Sequence, residues 1–279
     1  MVANRPPTYG PSVTMQRLMR QLYPLLGFGL IAVQFSCGHD PAAPIDGGNN
    51  NCQTTATPHV FGGSNAGALA TNDCTLSDGS YIDYYSTTLP AGAYLFNQSS
   101  TEFDTYLFLL TGDRFLIGFD DDDPQVLSST NSAIKALLPA GDFILGANAY
   151  PGSLGAYTLA SAASTSDVTG CEDVFVVKGT STTQALQTTD CPVAASYADN
   201  YLIALRAGQS ITVTMSSTAV DSYLELYYFT GRVTFNDNAN TSSQDASFTY
   251  TSTVSDIFII SAQSAGGTAA TGAYTLTIQ

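Results

Sequence analysis

Tryptophan is absent from the 279 residues, histidine occurs twice, lysine only at 135 and 178, and glutamate only at 102, 172 and 225. Each scarcity closes off a class. Glu, Lys and Leu are what surface helices usually carry, whereas the Tyr, Thr, Ser, Val and Phe that dominate here favour strands. The two imidazoles are His39 and His59. A nucleophile triad would therefore rest on His59 alone, which reads as an edge residue near a strand start. Basic residues are few as well. Beyond Cys37, five of them (Arg114, Lys135, Lys178, Arg206, Arg232) face all 23 acidic residues, a formal balance of −18. Such a surface repels nucleic-acid phosphates and anionic lipid headgroups, and it favours cations. No phosphate-cradling Gly loop opens a helix.

The first 36 residues have the opposite character. Arg5, Arg17 and Arg20 lie there with no Asp or Glu, followed by an apolar run over residues 22–35 that ends at Ser36-Cys37. This predicts a secretory signal over residues 1–36, with an apolar run too short to span a bilayer comfortably. Residues 37–51, with Pro41, Pro44 and the Gly/Asn tract 47–51, read as a flexible tether. Ser36-Cys37 resembles a bacterial lipoprotein site, although Gln34 stands where that motif prefers Leu. Cys37 is then the lipid acceptor, and the alternative is ordinary cleavage. The other four cysteines form two similar pairs, Cys52/Cys74 and Cys171/Cys191. Each pair would close a loop of about 20 residues and contribute on the order of 3 kcal/mol. Disulfides require an oxidising compartment, so export is indicated twice. Membrane association is expected only through the lipidated N-terminus.

An offset near 117 brings the two halves of the remaining chain into register. Asp73-Cys74 answers to Asp190-Cys191, Ser80 to Tyr85 answers to Ser196 to Tyr201, and Asp104-Thr-Tyr-Leu107 answers to Asp221-Ser-Tyr-Leu224. Gly155-Ala-Tyr-Thr-Leu159 recurs unchanged as Gly272 to Leu276. A period above 100 residues marks duplicated domains rather than a solenoid. Runs such as Tyr106 to Leu110 and Ile211 to Met215, bounded by Thr-Gly and Pro-Ala-Gly turns, predict seven or eight short strands per copy. The expected architecture is all-β: two tandem jelly-roll-like β-sandwiches at residues 52–160 and 171–279, joined by a linker over 161–170.

The ordered motifs resemble the bacterial pre-peptidase C-terminal domain. They are Asp83-Tyr-Tyr85, Leu89-Pro-Ala-Gly92, Phe103-Asp-Thr-Tyr-Leu107, the acidic run Phe119 to Asp123, Leu138-Pro-Ala-Gly-Asp-Phe143 and Gly155 to Leu159. The second copy departs at Val220, in place of the Phe, and lacks the second Ala-Gly turn near Val254. The resemblance implies a compact, non-catalytic sandwich of the kind appended to secreted proteases and other hydrolases. Members attached to collagenases bind collagen. No peptidase domain precedes these copies, so the usual context is missing.

The strongest site-like feature is Asp120-Asp-Asp-Asp123 before Pro124. Four successive carboxylates repel one another unless a cation neutralises them, and oxygen-only donors suit Ca²⁺. Asp104 at the start of one strand and Asp113 on the following turn complete the candidate set. A solvated acidic loop is the competing reading. The second copy offers Asp221 with Asn236, Asp237 and Asn238, a weaker version. Glycosidase-type carboxylates gain no support from Glu102, because Ala219 holds the aligned position. The thiols are better used as disulfides than as zinc ligands or nucleophiles. Some exposed tyrosines are expected to stack on sugars or pack on protein ligands. The function expected is an exported, non-catalytic binding or adhesion protein for an extracellular polysaccharide or protein, with structural calcium. The alternatives are a spacer associated with a separately encoded secreted hydrolase and, less favoured, a hydrolase.

Overall fold

The computed structural model describes Cys52 and residues 56–122, 129–194, 196–240, 242–267 and 269–279. The signal, the tether, Cys37 and Asp123 lie outside the described residues. The first ten strands are β1 (Thr57–Pro58), β2 (Ser64–Leu69), β3 (Cys74–Thr75), β4 (Tyr81–Leu89), β5 (Gly92–Ser99), β6 (Thr105–Thr111), β7 (Leu116–Asp120), β8 (Ser132–Leu138), β9 (Gly141–Ala149) and β10 (Gly155–Ala163). The next ten are β11 (Val174–Val176), β12 (Ser181–Leu186), β13 (Cys191–Val193), β14 (Ser196–Leu205), β15 (Ser210–Ser216), β16 (Ser222–Tyr228), β17 (Gly231–Asn236), β18 (Ala246–Thr251), β19 (Asp256–Ser264) and β20 (Gly272–Ile278). The protein is an all-β sandwich structure, as the alternating patterns require, and a 3₁₀ turn at Ala265–Gly267 separates β19 from β20.

Each set of ten strands folds in the same order. In the first half one sheet runs β1-β4-β9-β6-β7 and the other β8-β5-β10-β2; in the second half the orders are β11-β14-β19-β16-β17 and β12-β20-β15-β18. The strands alternate because one face of each sheet packs on the other: β4, for instance, buries Tyr85, Thr87 and Leu89 on that face, while Ile82 on the opposite face packs with the Cys52–Cys74 disulfide. Both expected disulfides are formed, Cys52–Cys74 and Cys171–Cys191, tying down the start of each half.

The halves are not beads on a string. Residues 161–163, assigned above to the linker, extend β10, and Val168 is fully buried. Strand β11 then pairs in parallel with β14 of its own half and with β8 of the first, so two sheets fuse into one of ten strands. Val174-Phe175-Val176 is buried on both faces, the burial expected of a strand internal to a parallel arrangement. Phe175 enters the first half's core, where a Cβ on Gly118 would lie 2.4 Å from its ring. Only glycine admits that approach. In return Leu137 of β8 belongs to the second half's core. Lys135, almost buried, reaches across to Glu172 at 2.6 Å and to the Asp167 carbonyl at 2.5 Å. At the rim, Arg206 pairs with Asp113 at 2.6 Å and lies over the Phe115 ring.

Candidate functional site

The hairpin β6–β7 decides which of the candidate carboxylates can meet. Leu107 pairs with Asp120, which sets Asp104 beside Asp120, Asp121 and Asp122 at one end of the hairpin. Asp113 belongs to the turn at the other end, a strand length of roughly 20 Å away. It is not part of this group. Its carboxylate accepts from the Thr111 hydroxyl and from Arg206, and these partners hold its pKa below the usual carboxylate value. Asp113 serves the joint between the halves.

The remaining acids are unequal. Asp120 is buried, and its Oδ2 accepts from the Ala133 amide at 2.8 Å, fixing the start of β8. Asp121, also buried, accepts from the Tyr150 hydroxyl at 3.3 Å. Asp104 is half-buried; its Oδ1 is enclosed and has no hydrogen-bond donor among the described residues. Burial first, and then the Asp122 charge, raise its pKa. Tyr150 is raised too, by partial burial and then by Asp121. Among the described residues no three of these groups are arranged to coordinate one ion.

The second half repeats the frame with fewer charges. Asn236 Oδ1 accepts from the Ser247 amide at 2.9 Å, the counterpart of the bond between Asp120 and Ala133. Asp221 Oδ1 is enclosed without a donor, as Asp104 Oδ1 is. Asp237 and Asn238 are exposed. The anchoring role of the residue at 120 and 236 needs only an acceptor oxygen, which explains why Asp and Asn both serve.

His59 differs from its expected place at an exposed edge. It is buried, with Nε2 2.7 Å from Ser161 Oγ and Nδ1 2.5 Å from Asn65 Oδ1. A serine, a histidine and an amide in series have the connectivity of a nucleophile triad. The surroundings do not suit one. Ser161 is buried within β10, and the Gly62 amide points at its Oγ rather than at a neighbouring oxyanion position. The corresponding positions in the second half are Val176 and Ile278, which share the apolar core there. The trio therefore fastens the 60–63 turn onto β10.

Large apolar side chains are exposed in both halves, at Val60, Phe61, Tyr150 and Leu154 in the first and at Phe229, Val233 and Phe235 in the second. Phe229, Val233 and Phe235 are 53%, 38% and 52% exposed, around the hairpin β16–β17. Arg232 lies over Phe235 and pairs with the buried Glu225 at 2.7 Å, which also accepts from the Tyr223 and Tyr227 hydroxyls. The corresponding first-half residues, Ile117 and Phe119 on β7, are both 1% exposed, and β7 lies against β11 and β14. The sequence signal was present in Phe229 and Phe235, but exposure depends on what covers the strand.

No family model matches the chain, and no curated protein does. Several solved structures are similar to it. The pre-peptidase C-terminal domain of a collagenase from Bacillus anthracis is 14% identical, with a TM-score of 0.32, covering 40% of this chain and 99% of that one. The CUB1-EGF-CUB2 domain of human MASP-1/3 is 8% identical, TM-score 0.22, over 77% of this chain and 99% of that one. The PBSX exported protein XepA is 10% identical, TM-score 0.22, over 90% of this chain and all of that one.

Proposed function

We propose that this chain is an exported, non-catalytic binding or adhesion protein, held at the cell envelope through Cys37 and stabilised by calcium. The observation that carries the binding reading is the exposed edge of Phe229, Val233 and Phe235. Exposed apolar side chains that lie along one hairpin can form an interaction site: Val233 and Phe235 alternate on β17, and Phe229 is on the turn that precedes it. The same surface of the first half is a contact surface, covered by β11 and β14. The ligand class is an extracellular polysaccharide or protein that packs on Phe235, Phe229 and the neighbouring Tyr223. Two disulfides favour the exported setting. An immobilised polysaccharide and protein array tests the reading. Binding should occur and should be lost in Phe229→Ser/Phe235→Ser with melting unchanged. An array with no hits favours the other reading, a spacer that works beside a separately encoded secreted hydrolase.

In this reading calcium would draw together Asp104, Asp120, Asp121 and Asp122, which are not preset around an ion, with Asp123 following in the same run, and more weakly Asp221, Asn236, Asp237 and Asn238. The enclosed Asp104 Oδ1 supports this assignment, because a cation would supply its missing partner. Calorimetry should show Ca²⁺ binding that Asp104→Asn abolishes. No heat and no change in melting temperature with Ca²⁺ or EDTA would refute it.

A further inference from the structure

A second group of acids lies in the second half, away from the surfaces described so far. Asp199, on β14, is fully buried, and Asp190, just before β13, is 3% exposed. Asp199 Oδ2 accepts from the Tyr274 hydroxyl at 2.5 Å, and Tyr274 in turn meets the Tyr201 hydroxyl at 2.6 Å. Asp190 Oδ2 accepts from the Gln187 amide at 2.5 Å. Each carboxyl thus has one satisfied oxygen. The other, Oδ1 in both, is buried with no donor among the described residues. The register of β13 on β14, with Cys191 opposite Ala198, sets the two carboxyl groups side by side, and each acts on the ionisation of the other. Two carboxylates have no hydrogen between them to share, so one must carry a proton. One proton between the Oδ1 atoms satisfies both orphaned acceptors at once.

We infer that Asp190 and Asp199 hold a single shared proton at neutral pH, and that this pair makes the second half lose stability as the solution turns alkaline. Burial is the main reason the proton stays: it pushes Asp199 up to about 8, the Tyr274 hydroxyl acts in the opposite direction, and the Asp190 charge adds to the rise. Asp190 is raised as well, again mainly by burial. The other groups facing the pair do not supply a neutralising cation. Asp167 adds negative charge while its carboxylate is held by Gln187 Nε2 at 3.0 and 3.1 Å. Tyr201 and Tyr274 are held neutral by burial, well above their usual pKa. The nearby ammonium of Lys135 is engaged with Glu172 and the Asp167 carbonyl.

The first half supplies an internal comparison. Asp83 accepts from Tyr157 at 2.6 Å and Tyr157 meets Tyr85 at 2.7 Å, repeating the chain of hydroxyls. Asp73 accepts from the Ala70 amide at 2.6 Å, as Asp190 does from Gln187. There, however, Asp83 is half-buried with no enclosed oxygen left over, and Asp73 acts on it through its charge. The shared proton belongs to the second copy.

The sign follows from proton linkage. An unfolded aspartate ionises near 3.8, whereas folded Asp199 keeps its proton to about 8. The folded state therefore binds the extra proton between these values, and its stability falls as pH rises through that window and levels off above it. The test is the melting temperature of the full chain from pH 5 to pH 9, followed by circular dichroism. Wild type should lose on the order of 10 °C by pH 8 and little more beyond. Asp199→Asn should remove most of that slope while folding normally. Its carbonyl can take the Tyr274 hydroxyl bond and its NH₂ can donate to Asp190 Oδ1, in the place of the proton. Asp190→Asn should behave alike. Joining the two substitutions should cost stability at every pH, because two NH₂ groups would then face each other. Asp83→Asn should leave the slope between pH 6 and pH 8 in place. Infrared difference spectra should show a protonated carboxyl stretch at pH 6 that disappears in Asp199→Asn. A slope that persists in Asp199→Asn, or a single Asn variant as damaging as Asp199→Ala, would overturn the inference. A wild-type response to divalent cations in place of pH would do the same.

Discussion

Removing the Phe175 ring tests whether the halves fold as one body. The residue is 2% exposed and lies on a strand of the second half, yet it packs in the core of the first. Phe175→Ala leaves a cavity at the joint that neither half can close alone. Large-to-small changes of this kind cost about 3–5 kcal/mol, which for a protein of this size lowers the melting temperature by roughly 6–20 °C. Scanning calorimetry and urea denaturation followed by near-ultraviolet circular dichroism of the tyrosines measure it, since no tryptophan is present. A single transition that moves as a whole is expected. Gly118→Ala should cost about 1–3 kcal/mol alone, because its Cβ would meet the Phe175 ring at 2.4 Å. In the Phe175→Ala background that added cost should vanish, a coupling that separates direct contact from general damage. Phe229→Ala, at an exposed ring, serves as the control and should change stability by less than about 0.5 kcal/mol. A loss below about 1 kcal/mol in Phe175→Ala, or two transitions of which only one moves, would refute the account of the joint.

Two ion pairs cross the same joint and should differ sharply. Lys135→Ala strands Glu172 in a nearly buried position and should cost about 3–5 kcal/mol, whereas Arg206→Ala, at an exposed pair, should cost about 1 kcal/mol or less by denaturant midpoint. The His59 trio is predicted to be replaceable as a unit. His59→Val/Ser161→Ile, which copies Val176 and Ile278, should be less destabilising than His59→Val alone, which leaves Ser161 without its partner. Replacing Cys171 and Cys191 by Ser should lower stability by about 3 kcal/mol for a loop of 20 residues, read from the urea midpoint under non-reducing conditions.

Much of the sandwich was readable because alternation and turn chemistry are local. The Leu-Pro-Ala-Gly and Thr-Gly turns bound real strands, and the paired Cys spacing led to both disulfides. The placement of Asp113 was readable too, and was missed. Seven strand residues separate Asp104 from the turn after Thr111, and that length carries Asp113 away from the acidic end. The joint was harder to foresee. Val174-Phe175-Val176-Val177 is a run without alternation, a signal of burial on both sides, but nothing local says which sheet supplies the second side. The burial of His59 is likewise a product of chain return over a long separation, whereas Asp190 and Asp199, nine residues apart, meet across the β13–β14 hairpin and show only once its register is known. Hydrogen-bond partners more than 100 residues apart, as His59 and Ser161 are, leave no pattern in either neighbourhood.

A parallel strand that bridges two copies is an assembly step that could repeat without end, each unit offering to the next the edge it used itself. In this chain the step is stopped at both ends. Strand β1 occupies the place of β11, but Pro58 stands where Phe175 does and has no N–H to give to a neighbour. The faces beside it are changed in the same sense: Ser86 and Thr88 stand in for Leu202 and Ala204. At the far end β18 takes the place of β8, with Thr249 and Thr251 where Lys135 and Leu137 grip the next unit. Growth from copy to copy, the route by which a repeat becomes a fibre, is thereby limited to one addition. Among the described residues, neither end strand offers again the edge that β8 offers to β11.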